Sequence, residues 1–252
     1  MTIKTIIICI FSALFLSAGI FSSGYFIGDG FYKSKMDDRY VTVKGLAEKE
    51  VVADLAIWNI KLVATGDDLT AVQDKIEGDK SQLISFLTEN AISAEEMEVG
   101  QYNVTDLMSE RYRTEQAQKS RYIISFSETV RSNDVQKIKT LSGKTGDLLK
   151  KGVALADNSG PVFLFTKLND IKPDMIAEAT KNARKSAVQF ALDSGSKVGP
   201  IRRANQGMFS IQAKNVGAGY QSYDSPYPVS PDALQIEKKV RVVSTIDYYL
   251  VK

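Results

Sequence analysis

VVADLAIWNIKLV, residues 51–63, decides how this chain is read. Along it Ala56, Trp58, Ile60 and Leu62 alternate with Ile57, Asn59, Lys61 and Val63, the two-residue period of a strand with one face buried and the other partly wet. Just before it, residues 40–45 carry the same β-branched and aromatic character. Just after it, Asp67 and Asp68 can cap a helix whose apolar positions Leu69, Val72, Ile76, Leu83, Phe86 and Leu87 share one stripe as far as Asn90. Gly78 and Asp79 interrupt that helix and should weaken its middle.

The rest of the chain continues the mixture. Residues 96–108 and 121–130 read as strands flanking a polar segment, a hairpin with a long charged loop. A second helix is expected over 133–150, carried by Val135, Ile138, Leu141, Leu148 and Leu149, and a short strand over 162–168. Pro173 suits a first helical turn. The third helix, 173–193, presents Ile176, Ala179, Ala183, Ala187, Phe190 and Ala191 and stops at Gly195; its alanines allow close approach to a sheet. A strand around 207–213, a Pro- and Gly-rich loop over 216–232 and one long strand over 238–251 complete an α+β reading, with β-sheets packed against about three helices.

Ahead of this body lies an unbroken apolar run from Ile6 to Ile27, closed by Gly28, Asp29 and Gly30. As a helix it would cover roughly the 30 Å of a bilayer's hydrocarbon, and its Ile, Leu and Phe residues outweigh its serines on an insertion scale. Residues 1–30 are therefore expected to be an N-terminal transmembrane anchor, or uncleaved signal, joined by a short linker (31–39) to a domain over 40–252. A cleaved signal peptide is the rival, but Phe26 and Ile27 extend the run past the small residues at 17–19 and 21–23. Cys9, the single cysteine, follows Ile6, Ile7 and Ile8 near the start of the run, the place of a small apolar residue rather than of a lipid-modified one.

Composition removes several function classes. The 252 residues are 44% hydrophobic and 25% charged with net charge +2, which fits a folded module and gives no bulk electrostatic attraction to nucleic acid. There is no histidine, hence neither the commonest general base nor the commonest metal ligand. With Cys9 in the anchor, zinc, haem and iron–sulfur ligation have no candidates, and no cofactor is expected.

Short motifs offer little chemistry. Gly143-Lys144-Thr145 has the tail of a phosphate loop, but Ile138 stands where its first glycine should be. Ser194 and Lys197 have the S-x-x-K spacing, yet the serine closes a helix instead of opening one. The acid pairs Asp37-Asp38, Asp67-Asp68 and Glu95-Glu96 suit caps and turns and lack the calcium-loop pattern. Two surfaces remain as candidates for a partner or for assembly: Arg111 and Arg113 in the charged hairpin loop, and Tyr220, Tyr223 and Tyr227 in the proline-rich loop, since tyrosine gives large contact area at low entropic cost.

Taken in order, Tyr40-Val41-Thr42-Val43-Lys44-Gly45, then Ala53-Asp54-Leu55-Ala56, then Asn182-Ala183-Arg184-Lys185-Ser186-Ala187 ahead of Gly195 and Gly199, resemble the SIMPL-domain family. Its members open on a V-x-V-x-G strand, follow it with a D-x-A strand, and carry an A-R-x-x-A helix before a G-x-x-x-G turn. Here Ala53 replaces a common proline, and Lys185-Ser186 stands where a second alanine is common. The resemblance covers residues 40–251 and implies a two-part α+β fold in the bacterial envelope, outside the inner membrane. Some relatives form large ring-like or channel-like homo-oligomers, and others are linked with tolerance to oxidative stress.

These readings together lead to a membrane-anchored envelope protein with a non-catalytic assembly or interaction role, possible partners being a second copy, an envelope protein and the membrane itself. An alternative is a binding protein for an apolar or envelope small molecule, in a pocket lined by Trp58, Phe126 and Phe165; an enzyme using carboxylate, lysine or tyrosine chemistry ranks below both. The flanking charges, Lys4 before the run against Lys33, Lys35 and Arg39 after it, favour a cytoplasmic domain, whereas the resemblance favours the periplasm. The expected location is a single pass through the inner membrane with the domain outside.

Overall fold

The computed structural model describes residues 3–37, 39–109, 120–157, 160–214 and 231–251; within these, side chains are described from residue 14 to 31 of the first helix. The elements run α1 (Ile3–Asp37), β1 (Tyr40–Val52), β2 (Leu55–Gly66), α2 (Leu69–Glu89), β3 (Gln101–Asp106), β4 (Tyr122–Ser132), α3 (Val135–Ser142), α4 (Gly146–Lys150), β5 (Leu155–Asp157), β6 (Val162–Leu164), α5 (Leu168–Asp193), β7 (Lys197–Gln206), β8 (Ser210–Ala213) and β9 (Glu237–Val251). Helices and two sheets make the fold α+β. The chain divides into two compact units, Met1–Ala47 with Asp174–Phe209 and Val242–Lys252, and Glu48–Pro173 with Ser210–Arg241.

In the first unit, strands lie in the order β1, β9, β7. The even-numbered residues Ile246 and Tyr248 of β9 and Val43 of β1 form its buried layer, and α5 covers them with Ala183 and Ala187. Side chains this small let a helix backbone approach strand backbone. At Gly45 a Cβ would stand 1.8 Å from the Ala179 carbonyl oxygen and 2.6 Å from the Ala183 nitrogen, so the helix rests on the bare glycine. Asn182 secures the contact by donating to the Leu46 carbonyl at 2.9 Å.

Helix α1 belongs to the same unit and continues to Asp37, so most of the expected linker is helical. From residue 14 to 31 its large apolar side chains are exposed on every side, Phe15 at 77% and Phe21 at 79%. Gly28, Asp29 and Gly30 break the apolar character of this stretch, and among the described residues no helix is long and apolar enough to cross a membrane.

The second unit is built on β2. Strand β4 pairs antiparallel with one side of it, Trp58 opposite Val130 and Leu62 opposite Phe126, and β5 and β6 pair with the other side. The expected alternation holds: Ala56, Trp58, Ile60 and Leu62 are buried. They pack with Val72, Ile76, Leu83, Phe86 and Leu87 of α2 and with Ile138, Leu141 and Leu148 of α3 and α4 in one core. The expected hairpin is also present, β3 against β4.

Several expectations need correction. Residues 51–63 are not continuous strand: β1 ends at Val52 and β2 starts at Leu55, and between them the Ala53 and Asp54 N–H groups donate to the Ile236 and Leu164 carbonyls. Helix α2 runs unbroken through Gly78 and Asp79: the glycine faces open space, and the buried Asp79 is paired with Lys75 one turn earlier. The helix expected over 133–150 is two helices separated at Gly143, Lys144 and Thr145. Residues 94–96 form a short 3-10 turn capped by Ser93 and Glu96, so the strand expected from 96 starts at Gln101. Pro173 lies inside α5, which begins five residues earlier at Leu168, leaving only Val162–Leu164 as strand β6.

Strands β5 and β7 were not foreseen. β7 contains Gly199, Pro200, Arg202 and Arg203, a composition that does not read as strand; it is tolerated because β7 lies at a sheet edge and shifts register against β9 there.

Candidate functional site

The five residues expected to form a partner surface, Arg111, Arg113, Tyr220, Tyr223 and Tyr227, lie outside the described residues. The ends of their segments are described. Residues 110–119 join β3 to β4, and the base of that hairpin is held by Arg121, whose guanidinium meets the Asp106 carboxylate at 3.0 and 3.3 Å while its backbone N–H donates to the Asp67 carboxylate at 3.0 Å. Asp106 is held below the usual carboxylate range by Arg121 and by the Met108 N–H. Residues 215–230 lie between β8 and β9, which pair antiparallel, and Lys214 at their start bridges Glu50 (2.9 Å) and Glu237 (3.6 Å).

Two polar clusters missed in the sequence lie in the second unit. One surrounds Glu128, which is 5% exposed on the core face of β4 between Phe126 and Val130. Burial raises its carboxyl above the ordinary range, partly offset by Lys80 of α2. The Lys80 ammonium stands 5.1 Å from the ring centroids of both Tyr102 and Phe126, and Tyr102 donates to Glu77 at 2.6 Å. Acid, base and phenol are thus assembled, but the space is closed. A Cβ on Gly100 would lie 2.7 Å from the Glu128 carboxylate and 2.2 Å from the Phe126 ring, so backbone packs directly over the acid. The signal was available: Glu128 continues the apolar register of Tyr122, Ile124 and Phe126.

The other cluster centres on Glu96. Its carboxylate accepts from Ser132, from the Ser93 N–H (3.0 Å) and from Lys137 (3.2 Å), and Lys137 also reaches the Ala91 carbonyl at 3.1 Å. Burial alone would raise the carboxyl, but these donors outweigh it and hold it at about 2, against an ordinary 4.5. That depression is worth about 3 kcal/mol of stability. Because the folded value lies below the unfolded one, the contribution is complete above about pH 4.5 and lost as pH falls toward 2.

The two acids should therefore respond oppositely to amide substitution. Glu96→Gln is expected to cost about 2–3 kcal/mol at pH 7 and progressively less below pH 4.5. Glu128→Gln is expected to raise stability at pH 7, since the folded state resists ionising this group, and to change little in acid. Urea unfolding at pH 3, 5 and 7 checks both, and equal effects at all three pH values would contradict the assignment.

The small-molecule reading placed a pocket between Trp58, Phe126 and Phe165. Trp58 and Phe126 are instead 2% and 1% exposed within the continuous core, and it is Phe163, not Phe165, that joins them. Among the described residues no group of three Cys, Asp or Glu side chains is placed to hold a metal ion. Ser194 donates to the Ala191 carbonyl at 3.0 Å beside Gly195, whose φ of +66° ends the helix, so the S-x-x-K spacing marks a helix stop.

The residues that carry the resemblance to the SIMPL-domain family have structural tasks. Asp54 accepts from the Thr166 N–H at 2.6 Å and the Thr166 hydroxyl at 2.8 Å, tying β2 to the entry of α5; burial opposes ionisation, but these bonds lower its carboxyl overall. Gly45, Ala183 and Ala187 form the seam between strand and helix, and Arg184 lies over the Tyr248 ring at 5.9 Å. Gly199 lies 3.1 Å, measured from a would-be Cβ, from the Tyr249 carbonyl.

A helix laid by a glycine–alanine seam on one sheet, and a second sheet with its own helical cover, define an α+β scaffold whose motif residues serve packing and clamping. The chain belongs to the SIMPL family, described as a protein of unknown function (DUF541), whose model matches residues 41–245. No curated protein matches the chain.

Proposed function

We propose that this protein is a membrane-anchored module of the cell envelope whose α+β domain, held outside the inner membrane by α1, serves assembly or interaction and not catalysis. The observation that carries the reading is α1 itself. A helix whose large apolar side chains are exposed on every side from residue 14 to 31 has a surface suited to lipid, since a helix apolar all round belongs in a membrane or a core. Supporting it, the two buried acid clusters are closed over by backbone at Gly100 (Glu128) or committed to an ion pair with Lys137 (Glu96), and the family motifs build the scaffold. A protective role under oxidative stress belongs to the same reading.

Fusing to the C-terminus a reporter enzyme that is active only outside the cytoplasm, and in parallel one active only inside it, tests location directly. Activity of the first alone is expected. Activity of the cytoplasmic reporter alone would place the domain inside, as Lys33, Lys35 and Arg39 would have it.

A further inference from the structure

A β-sheet edge invites another strand, and proteins usually blunt such edges with charge, proline, irregularity or brevity. The other edges described here are blunted, with β8 (Ser210–Ala213), which has neither charge nor proline, limited only by its four-residue length. β1 carries Lys44, Glu48, Lys49 and Glu50; β7 carries Pro200, Arg202 and Arg203 and shifts register; β5 and β6 have three residues each. β3 is different. It ends its sheet, pairing only with β4 among the described residues, and from Gln101 to Thr105 it has neither charge nor proline. Its larger side chains are only partly covered: Val104 is 55% exposed, and Tyr102, which packs on Phe126 and donates to Glu77, is 43% exposed, although both lie on the face where their β4 neighbours Ile124 and Phe126 are buried.

The register shows which backbone groups are available. Gln101 lies opposite Ser127 and Asp106 opposite Tyr122, and one step further the Leu107 N–H donates to the Arg121 carbonyl. Backbone groups point alternately to the two sides of a strand, so Gln101, Asn103 and Thr105 direct theirs at β4, and Tyr102 and Val104 direct theirs outward.

We infer that β3 is the pairing edge for β3 of a second copy, antiparallel about a two-fold axis at Asn103. This rests on the assembly reading above and names the surface and the partner. In this register Tyr102 lies opposite Val104 of the second copy and Val104 opposite its Tyr102, both as hydrogen-bonded pairs using the outward groups. Each is an aromatic–β-branched pair, the favourable cross-strand kind, and extends the apolar layer of Ile124 and Phe126. On the other face Gln101 meets Thr105, and Asn103 meets itself. No like charges are opposed between residues 101 and 105, because this stretch carries no charge at all.

The test uses the full chain in detergent with Cys9→Ser, which leaves no other cysteine. Asn103→Cys places two thiols in a non-hydrogen-bonded pair with Cα atoms about 4.5 Å apart, within disulfide range. Mild oxidation should convert most of it to a covalent dimer. Gln101→Cys alone should not link, whereas an equal mixture of Gln101→Cys and Thr105→Cys chains should. Val104→Pro removes only an outward N–H, so added to Asn103→Cys it should abolish linking without lowering the melting temperature; Val104→Lys gives a second way of blocking the edge.

Failure of folded Asn103→Cys to link, or linking that persists with Val104→Pro or Val104→Lys, would overturn the inference. So would equal linking of Gln101→Cys alone. If linking fails while the chain sediments as an oligomer, the edge is wrong and assembly stands; a chain that is monomeric throughout ends both.

Discussion

Gly45→Val is expected to prevent the first unit from forming, leaving the protein insoluble or melting at least about 10 °C below the parent. Even the Cβ of an alanine would sit 1.8 Å from the Ala179 oxygen and 2.8 Å from the Ala183 Cβ. The obstacles are backbone and a side chain with no rotamer, so nothing can swing aside. Helix α5 must lift from β1, and in doing so it uncovers Val43, Ile246 and Tyr248 and breaks the Asn182 bond to Leu46. Overpacking that must be relieved by moving a helix exceeds the usual 1–3 kcal/mol, and about 4 kcal/mol or more is the reasonable scale. At 2–4 °C per kcal/mol for a domain of this size, that gives the expected shift. Gly78→Ala is the control within another helix: nothing lies within 4 Å of its Cβ position, so it should stabilise by up to about 1 kcal/mol. Thermal unfolding of the two variants decides the matter. A Gly45→Ala chain melting within a degree or two of the parent would mean that the strand–helix seam is not closed.

How far the sequence could be read depended on the range of the interaction behind each feature. Alternation along β2, the stripe of α2 and the alanine face of α5 are local patterns, legible because one buried face determines each, although Leu69 and Phe190, read into the faces of α2 and α5, are exposed. Gly78-Asp79 misled because local propensity argues for a break, whereas the burial of Asp79 is an outcome of tertiary packing, and Lys75 one turn earlier pairs with it. Asp54 could be matched to a motif, yet its purpose needs Thr166, which is 112 residues away. Gly45 likewise looks like any strand glycine until a helix is placed on it. The open edge at β3 was invisible because neutrality is noticed only beside the charged and proline-bearing edges around it. The candidate surface residues Arg111, Arg113, Tyr220, Tyr223 and Tyr227 fall outside the described residues, and their segments are legible only through the strands they join.

Replacing Leu16 and Ile20 together by lysine is expected to move the full chain from the membrane pellet to the supernatant on alkaline extraction. Both side chains are exposed, at 69% and 67%, and they sit one turn apart near the middle of the apolar run. Near a bilayer centre each Ile, Leu or Phe favours insertion by about 0.3–0.6 kcal/mol, so the whole run supplies roughly 4–7 kcal/mol, while each lysine opposes it by about 2.5–3.5 kcal/mol. Two lysines consume the advantage. The substitution alone does not separate lipid from a protein groove, because charge is unwelcome in either. Alanine does separate them. Leu16→Ala with Ile20→Ala leaves the segment apolar and forfeits only a fraction of the insertion energy, but it would remove the knobs on which helix–protein packing depends, at about 2–5 kcal/mol each for well-buried leucine or isoleucine. The alanine pair should therefore stay in the pellet while the lysine pair leaves it. If the alanine pair comes away as readily, α1 is held by side-chain packing against protein, and the lipid reading fails.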